Sequence, residues 1–141
     1  EFRYDQVWQD RPRSVALDNY GNGKGLEIIP LPDTELILGV PAYQVRRTPK
    51  GTAVGTADET FLLKYRMVSA NEEQGNYIVT AFLGASVPTG SVNFTQDAAT
   101  VTPTLAFGKG WGGRSSGFDV QSTLGYTVPV SDEARLVLNM W

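Results

Sequence analysis

The feature that most constrains the fold is an alternating stretch between Phe61 and Gly90. It divides into two runs joined by the polar sequence from Asn71 to Gly75, where Asn and Gly favour a turn. In both runs an apolar side chain returns at every second position, which is the period of a β-strand. In the second run these positions are Tyr77, Val79, Ala81, Leu83, Ala85 and Val87. The stretch therefore predicts a hairpin whose two strands are longer than the roughly five or six residues of an ordinary strand.

The opposite face of this hairpin mixes charged and apolar side chains. Lys64 and Arg66 stand mid-strand on the face that also carries Ile78 and Phe82. One face of the hairpin thus suits a dry environment, whereas the other tolerates charge. Strands of transmembrane β-barrels have this pattern, because their apolar face meets lipid and their mixed face lines the lumen.

Alternation and turn residues in the rest of the chain predict further strands. With the hairpin, the predicted strands are residues 2–8, 26–31, 34–43, 61–70, 76–87, 100–111, 118–130 and 136–141. Long polar loops alternate with short turns, as in outer-membrane barrels. The loops are residues 10–25, 44–58 and 89–99, and the turns are residues 32–33, 71–75 and 112–117. We therefore predict an all-β fold, an antiparallel up-and-down meander of about eight strands of the transmembrane β-barrel type, in one domain over residues 1–141.

The ends of this sheet are not expected to close on each other. The first and last predicted strands run antiparallel, so they have the right directions to pair. However, the last strand has about six residues, fewer than the nine to eleven that span a bilayer. Its terminal Trp141 also shares a face with Asn139 and Val137 rather than with the apolar Leu138 and Met140. We expect a curved, incompletely closed sheet with unpaired outer edges.

Two sets of side chains are candidates for function. Charges on the mixed face are candidate lumen-facing groups, and they are Glu35, Lys64, Arg66 and Asp119. They fit either an internal ion-pair network that fills the barrel or a solute path. Aromatic residues near the two strand ends are candidates for the membrane interface, with core packing as the alternative. Those near the short turns are Tyr77, Trp111 and Phe118, and those near the long loops are Trp8, Tyr43 and Tyr126.

The composition argues against several functional classes. The chain has no histidine and no cysteine, so Ser-His-Asp catalysis, Cys-His catalysis and thiolate metal sites are excluded. A net charge of −3 has the wrong sign for a nucleic-acid-binding protein. The adjacent acids Glu72 and Glu73 lie in a turn, where a solvated pair is expected rather than a shielded acid–base pair. The sequence predicts no enzyme activity, no cofactor and no metal.

Four stretches of the sequence carry a family resemblance. They are Phe-Leu-Leu-Lys-Tyr-Arg at residues 61–66, the run from Gly75 to Gly90, residues 102–112 and Phe-Asp-Val-Gln-Ser-Thr-Leu-Gly at residues 118–125. They resemble the bacterial outer-membrane transporter family linked to the meta-cleavage pathway of phenol degradation. The resemblance implies a β-barrel in the outer membrane of a Gram-negative bacterium that passes small hydrophobic or aromatic compounds. Members of that family are longer, so it also implies that these residues are part of a longer barrel.

The expected partners are therefore the lipid bilayer and a small hydrophobic or aromatic solute, with the oligomeric state open. One alternative from another class is a soluble antiparallel β-sandwich that binds a sugar or a protein through Trp8, Tyr20 and Tyr43. A second alternative is a structural outer-membrane protein without transport. The sandwich explains the strands and the acidic isoelectric point, but it explains less well why one face of each long strand is apolar.

Overall fold

The computed structural model describes residues 2–3, 6–11, 15–21, 25–113, 116–130 and 137–140, and the side chains of residues 16–21, 25–112 and 116–130. The described part of the chain contains twelve strands and one short 3₁₀-helix at Glu72–Gln74. The strands are β1 (Phe2–Arg3), β2 (Gln6–Arg11), β3 (Val15–Tyr20), β4 (Gly25–Leu31), β5 (Thr34–Leu38), β6 (Tyr43–Thr48), β7 (Gly51–Thr56), β8 (Glu59–Ala70), β9 (Tyr77–Val87), β10 (Thr100–Gly113), β11 (Ser116–Pro129) and β12 (Val137–Met140).

These strands form two antiparallel sheets. The larger sheet has eight strands in the order β1-β4-β5-β8-β9-β10-β11-β12, and the smaller has four in the order β2-β3-β6-β7. The predicted all-β antiparallel fold is confirmed. The larger sheet is open, because its edge strands β1 and β12 are not neighbours in the described part of the chain. This confirms the expectation of an incompletely closed sheet.

The smaller sheet corrects two of the predicted loops. Residues 10–25 and 44–58 were expected to be irregular, but they contain the end of β2, all of β3 and β7, and all of β6 except Tyr43. Each strand of the smaller sheet adjoins a strand of the larger one along the chain, for example β5 before β6 and β7 before β8. The breaks fall at residues that suit them, such as Gly21 and Gly25, which have φ of 98° and 72°, and Pro41. The first half of the meander therefore extends beyond the larger sheet, whereas the third predicted loop, between β9 and β10, remains irregular.

The strand register confirms the two faces of the central hairpin. Leu63 of β8 lies opposite Leu83 of β9, and Lys64 lies opposite Phe82. One correction applies, because a β-bulge between Arg66 and Val68 shifts the alternation of β8. Strict alternation from Phe61 through Leu63 and Tyr65 would place Met67 on the apolar face, but Val68 pairs with Val79 there instead.

The same alternation continues across the larger sheet and defines two surfaces. We call the first the apolar face; its described residues include Leu26, Ile28, Leu36, Phe61, Leu63, Tyr65, Val79, Leu83, Leu105, Phe107, Val120 and Leu124. We call the second the mixed face; its described residues include Glu27, Glu35, Ile37, Lys64, Arg66, Thr80, Phe82, Thr102, Thr104, Asp119 and Gln121. Most large side chains of the apolar face are exposed.

Little of the described chain is buried. Ile37 and Ala42 are the only buried hydrophobic residues among those whose side chains are described. In the described part of the chain, all extensive contacts between strands join neighbours within one sheet, and none indicates the face-to-face packing of a sandwich. No helix in the described residues has the length and apolarity needed to span a membrane.

Candidate functional site

Two ion pairs lie on the mixed face where β5 meets β8. The Lys64 ammonium is 2.8 Å from the Glu35 carboxylate, and their side chains are only 21% and 26% exposed. These two candidate lumen-facing charges therefore form an ion pair with each other. Arg66 instead pairs with Asp33, whose carboxylate accepts a hydrogen bond of 2.6 Å from the Arg66 Nε atom. Both pairs join neighbouring strands near the Pro32-Asp33 turn, because β5 and β8 are in register there.

These ion pairs border a cavity of about 500 Å³ on the mixed face. Its lining residues are Ile29, Asp33, Thr34, Glu35, Lys64, Arg66, Thr80 and Phe82. The mixed-face side chains of this lining combine two cations, two carboxylates and the Thr80 hydroxyl with the apolar side chains of Ile29 and Phe82. Such a cavity can hold a small solute with an apolar body and a hydrogen-bonding group, because pockets for small molecules are mostly apolar with a few placed polar groups.

Asp119 lies apart from the other predicted charges. It is on β11, where it borders a second cavity of about 290 Å³ together with Gln121. The Asp119 carboxylate accepts a hydrogen bond of 3.0 Å from the Gln121 side-chain amide. Among the described ion pairs, the partners of Lys64 and Arg66 are Glu35 and Asp33. Three strands of the larger sheet separate Asp119 from Glu35.

The three predicted aromatic residues near the short turns gather on the apolar face. The rings of Trp111 and Phe118 stack with 5.0 Å between centroids and an angle of 18° between planes. Tyr77 lies opposite Lys109 in the ladder between β9 and β10, two positions along β10 from Trp111. The Lys109 ammonium is 6.0 Å from the Tyr77 ring centroid and 5.5 Å from the Trp111 ring centroid.

The three predicted aromatic residues near the long loops do not form one group. Tyr126 is on the apolar face of β11, opposite Leu138 of β12. Tyr43 begins β6 in the smaller sheet, where its ring centroid is 6.3 Å from that of Tyr20. Trp8 belongs to β2 of the smaller sheet, opposite Asp18. Of these three residues, only Tyr126 lies on the larger sheet, because Trp8 and Tyr43 belong to strands of the smaller sheet.

The irregular segment between β9 and β10 is fastened to the smaller sheet. The Asp58 carboxylate accepts hydrogen bonds from the backbone amides of Gly90, at 2.9 Å, and Gln96, at 2.8 Å. Burial, the largest single influence, raises the pKa of Asp58, but these amides and the Thr95 hydroxyl together hold that pKa below its usual value. A Cβ atom on Gly55 would stand 2.6 Å from Ser91, so glycine in β7 permits this close approach.

The smaller sheet has polar contacts of its own. Asp18 is buried, and its carboxylate pairs with the Arg47 guanidinium. This ion pair joins β3 to β6. Gln44 donates a hydrogen bond of 2.6 Å to the Asn19 side chain. The Arg46 guanidinium lies 4.8 Å from the ring centroid of Phe94 in the segment between β9 and β10. Both faces of this sheet thus carry charged or amide side chains.

Comparison with known proteins assigns the chain to a family. Residues 3–136 match the family model described as "Putative MetA-pathway of phenol degradation". The chain belongs to this family. The match confirms the resemblance expected from residues 61–125. Neither the curated proteins nor the solved structures contain a significant match.

The described residues contain no candidate metal centre. No group of three or more acidic side chains lies close enough there to hold a metal ion. On the mixed face the Glu35 carboxylate pairs with Lys64, and the Asp119 carboxylate accepts a hydrogen bond from the Gln121 amide.

Three residues that form these contacts were not among the candidates identified from the sequence. Asp33 was recognised only as part of a turn, and the register between β5 and β8 is needed to place it beside Arg66. Asp58 has no local signal, because its partners lie more than 30 positions along the chain. Lys109 had a usable signal, since alternation with Phe107 and Trp111 places it on the apolar face.

Proposed function

We propose that the larger sheet is a wall of an outer-membrane transport protein, with its apolar face against lipid and its mixed face toward a path for small hydrophobic or aromatic solutes. The observation that carries this proposal is the distribution of exposure. Large apolar side chains such as Leu63, Leu83 and Leu105 are exposed on one face, while the ion pair of Glu35 and Lys64 is half-buried on the other. A water-soluble sheet has the opposite preference.

The dimensions of the apolar face support a lipid environment. On β10 the apolar face extends from Val101 to Trp111, ten positions along the strand. At roughly 3.4 Å per residue this is about 34 Å, or about 26 Å along the membrane normal for a strand tilted by 40°. Outer-membrane barrels have an apolar band about 25 Å tall. The four strands β8 to β11 contain 12, 11, 14 and 14 residues, so each is long enough to span a bilayer, which takes nine to eleven.

The cavity beside Lys64 supports the choice of solute. Its volume of about 500 Å³ lies within the range of small-molecule pockets. Phe82 supplies a ring face, and Thr80, Glu35 and Lys64 supply hydrogen-bonding groups around it. The family description links the chain to phenol degradation. A hydroxylated aromatic compound fits the ring and the hydrogen-bonding groups of the cavity lining, and it agrees with the family's link to phenol degradation.

Membrane insertion is tested by limited trypsin digestion of the full chain folded into phosphatidylcholine vesicles. We expect cleavage at Lys50, in the turn between β6 and β7, and protection at Lys64 and Lys109 in the larger sheet. The same chain without lipid is the control, and there all three sites should be cut. Unboiled and boiled samples should also differ in gel mobility. A soluble monomer with no heat-dependent shift and no lipid-dependent protection would refute the proposal.

Solute binding is tested separately with 4-fluorophenol and the chain in detergent, observed by fluorine NMR. We expect the fluorine line to broaden with the unmodified chain and with Leu83→Ala, and to stay sharp with Phe82→Ala. These two residues are adjacent on β9 but lie on opposite faces, so they form a matched pair. Equal broadening of the fluorine line with both variants would contradict the proposal that this cavity is part of the solute path.

A further inference from the structure

Lys109 is an exception on the apolar face. Among the described residues of the larger sheet, it is the only lysine or arginine whose register places it on this face, opposite Tyr77 on β9 and Val120 on β11. It lies near the short turns, two positions before Trp111. A cation within an apolar band is unfavourable at its centre but is accommodated at its margin, where the aliphatic stem lies on the band and the ammonium leaves it.

The Lys109 ammonium is held in place but has no carboxylate partner among the described residues. It donates a hydrogen bond to the backbone carbonyl of Gly75, in the turn between β8 and β9. It also lies within 6.0 Å of the ring centroids of Tyr77 and Trp111, a distance at which cation–π attraction operates. An ammonium group has three donors, and no carboxylate among the described residues forms an ion pair with this one. Its remaining donors are available to an anion.

The surroundings indicate what kind of anion fits. Trp111 and the Phe118 ring stacked on it form an exposed aromatic surface beside the ammonium. Tyrosine and tryptophan prefer the headgroup level of membranes. Val120 lies directly opposite Lys109, and toward the middle of the strands Phe107 and Val79 continue the apolar face. An anion at Lys109 that carries acyl chains would cover this surface, whereas a free anion would leave it uncovered.

We propose that Lys109, framed by Tyr77 and Trp111, binds the phosphate group of a glycerophospholipid whose acyl chains lie along the apolar face. This inference rests on the proposed membrane location. The short turns of outer-membrane barrels lie on the periplasmic side, so the lipid belongs to the inner leaflet, which consists of phospholipid. The exposed acids Glu72 and Glu73 in the neighbouring turn make no ion pair with Lys109. Because their carboxylates repel a phosphate, the lipid headgroup has to lie on the side of the Lys109 ammonium that faces away from them.

The experiment measures lipid binding by the full chain in dodecyl maltoside, with Trp8 and Trp141 replaced by phenylalanine. Phosphatidylglycerol with brominated acyl chains is titrated, and quenching of Trp111 fluorescence reports occupancy. Diacylglycerol with the same brominated chains is the comparison lipid, because it lacks the phosphate. We expect phosphatidylglycerol to bind more tightly than diacylglycerol. Equal affinities would overturn the proposal without any further variant.

Variants of Lys109 test whether the preference for phosphatidylglycerol over diacylglycerol depends on this side chain. Lys109→Met should weaken phosphatidylglycerol binding about fivefold, the share expected of one cation near an anionic lipid surface, and leave diacylglycerol binding unchanged. Lys109→Arg should retain the preference. Lys50→Met is the matched control, since it removes an exposed lysine from the turn of the smaller sheet and should have no effect.

The remaining outcomes are distinct from one another. An unchanged preference in Lys109→Met, or an equal loss for both lipids, would refute a phosphate site at Lys109. Competition by millimolar inorganic phosphate would show that the site takes free phosphate and not a lipid. Failure of the vesicle protection described above would refute the membrane location itself, and that result is obtained with the unmodified chain, independently of Lys109.

Discussion

Strands of the larger and the smaller sheet are interleaved along the first part of the chain, but the two sheets differ in how apolar and charged side chains are distributed over their faces. In the larger sheet one face carries mostly exposed apolar side chains, such as Leu63 at 41% exposure, while the other face includes the half-buried pair of Glu35 and Lys64. In the smaller sheet Arg46 and Arg47 are neighbours that point to opposite faces, so both faces carry charge. Only the larger sheet has a surface that water would solvate poorly.

The difference between the two sheets indicates where the environment of the strands changes along the chain. Strands β5 and β7 connect directly to strands of the other sheet, with only residues 39–42 and 57–58 between them. The apolar alternation stops at these junctions, although the β-structure continues. Under the proposed function the junctions mark the level at which the strands leave lipid, and the smaller sheet stands in water. The following predictions test that contrast, beginning with the largest expected effect.

A charge introduced on the apolar face should be far more disruptive than one introduced on the smaller sheet. Leu63→Arg should lower the free energy of unfolding in vesicles by about 2–4 kcal/mol, the penalty for arginine on a lipid-facing strand near the midplane. Val54→Arg, at a side chain that is 54% exposed on β7, should change it by less than about 0.5 kcal/mol. Urea titration of both variants gives the two values. Equal tolerance of arginine at the two positions would abolish the distinction between the sheets.

The ion pair on the mixed face should show coupling between its partners. Lys64→Met strands the Glu35 carboxylate in a half-buried place and should destabilise the chain by about 1–2 kcal/mol. The double variant Lys64→Met with Glu35→Gln should be destabilised by less than the sum of the two single changes. A double-mutant cycle in vesicles measures the coupling, and strict additivity would indicate that the two groups do not interact.

The smallest effect is a local dependence on pH at the junction. Because the folded protein lowers the pKa of Asp58, the contribution of its anion is complete above the ordinary aspartate pKa and is lost as the pH falls through the lowered one. We expect the amide NMR signals of Gly90 and Gln96 to move with Asp58 titration, while those of Leu63 and Leu83 in the ladder stay in place. Asp58→Asn should remove this titration. Movement of all four signals together would instead indicate general unfolding.

Side-chain alternation was sufficient to predict the faces of the larger sheet. Residues such as Leu63 and Lys64 point to opposite sides of any extended strand, so their separation needs no knowledge of tertiary structure. The turn from Asn71 to Gly75 was likewise evident, and Gly75 has the φ of 116° that such turns require. The charged members Glu35 and Lys64 of the candidate site followed from the same pattern.

Tertiary structure alone decided what lies beyond that pattern. The strands of the smaller sheet have polar residues on both faces, so they lack the period of two that identifies a half-buried strand, and residues 44–58 therefore had the sequence character of a loop. The partner of Arg66 depended on the register between β5 and β8, which places Asp33 nearer than Asp119. The bulge at Met67 depended on how β8 pairs with β9. Local alternation determines which way a side chain points, whereas pairing between strands determines what it meets.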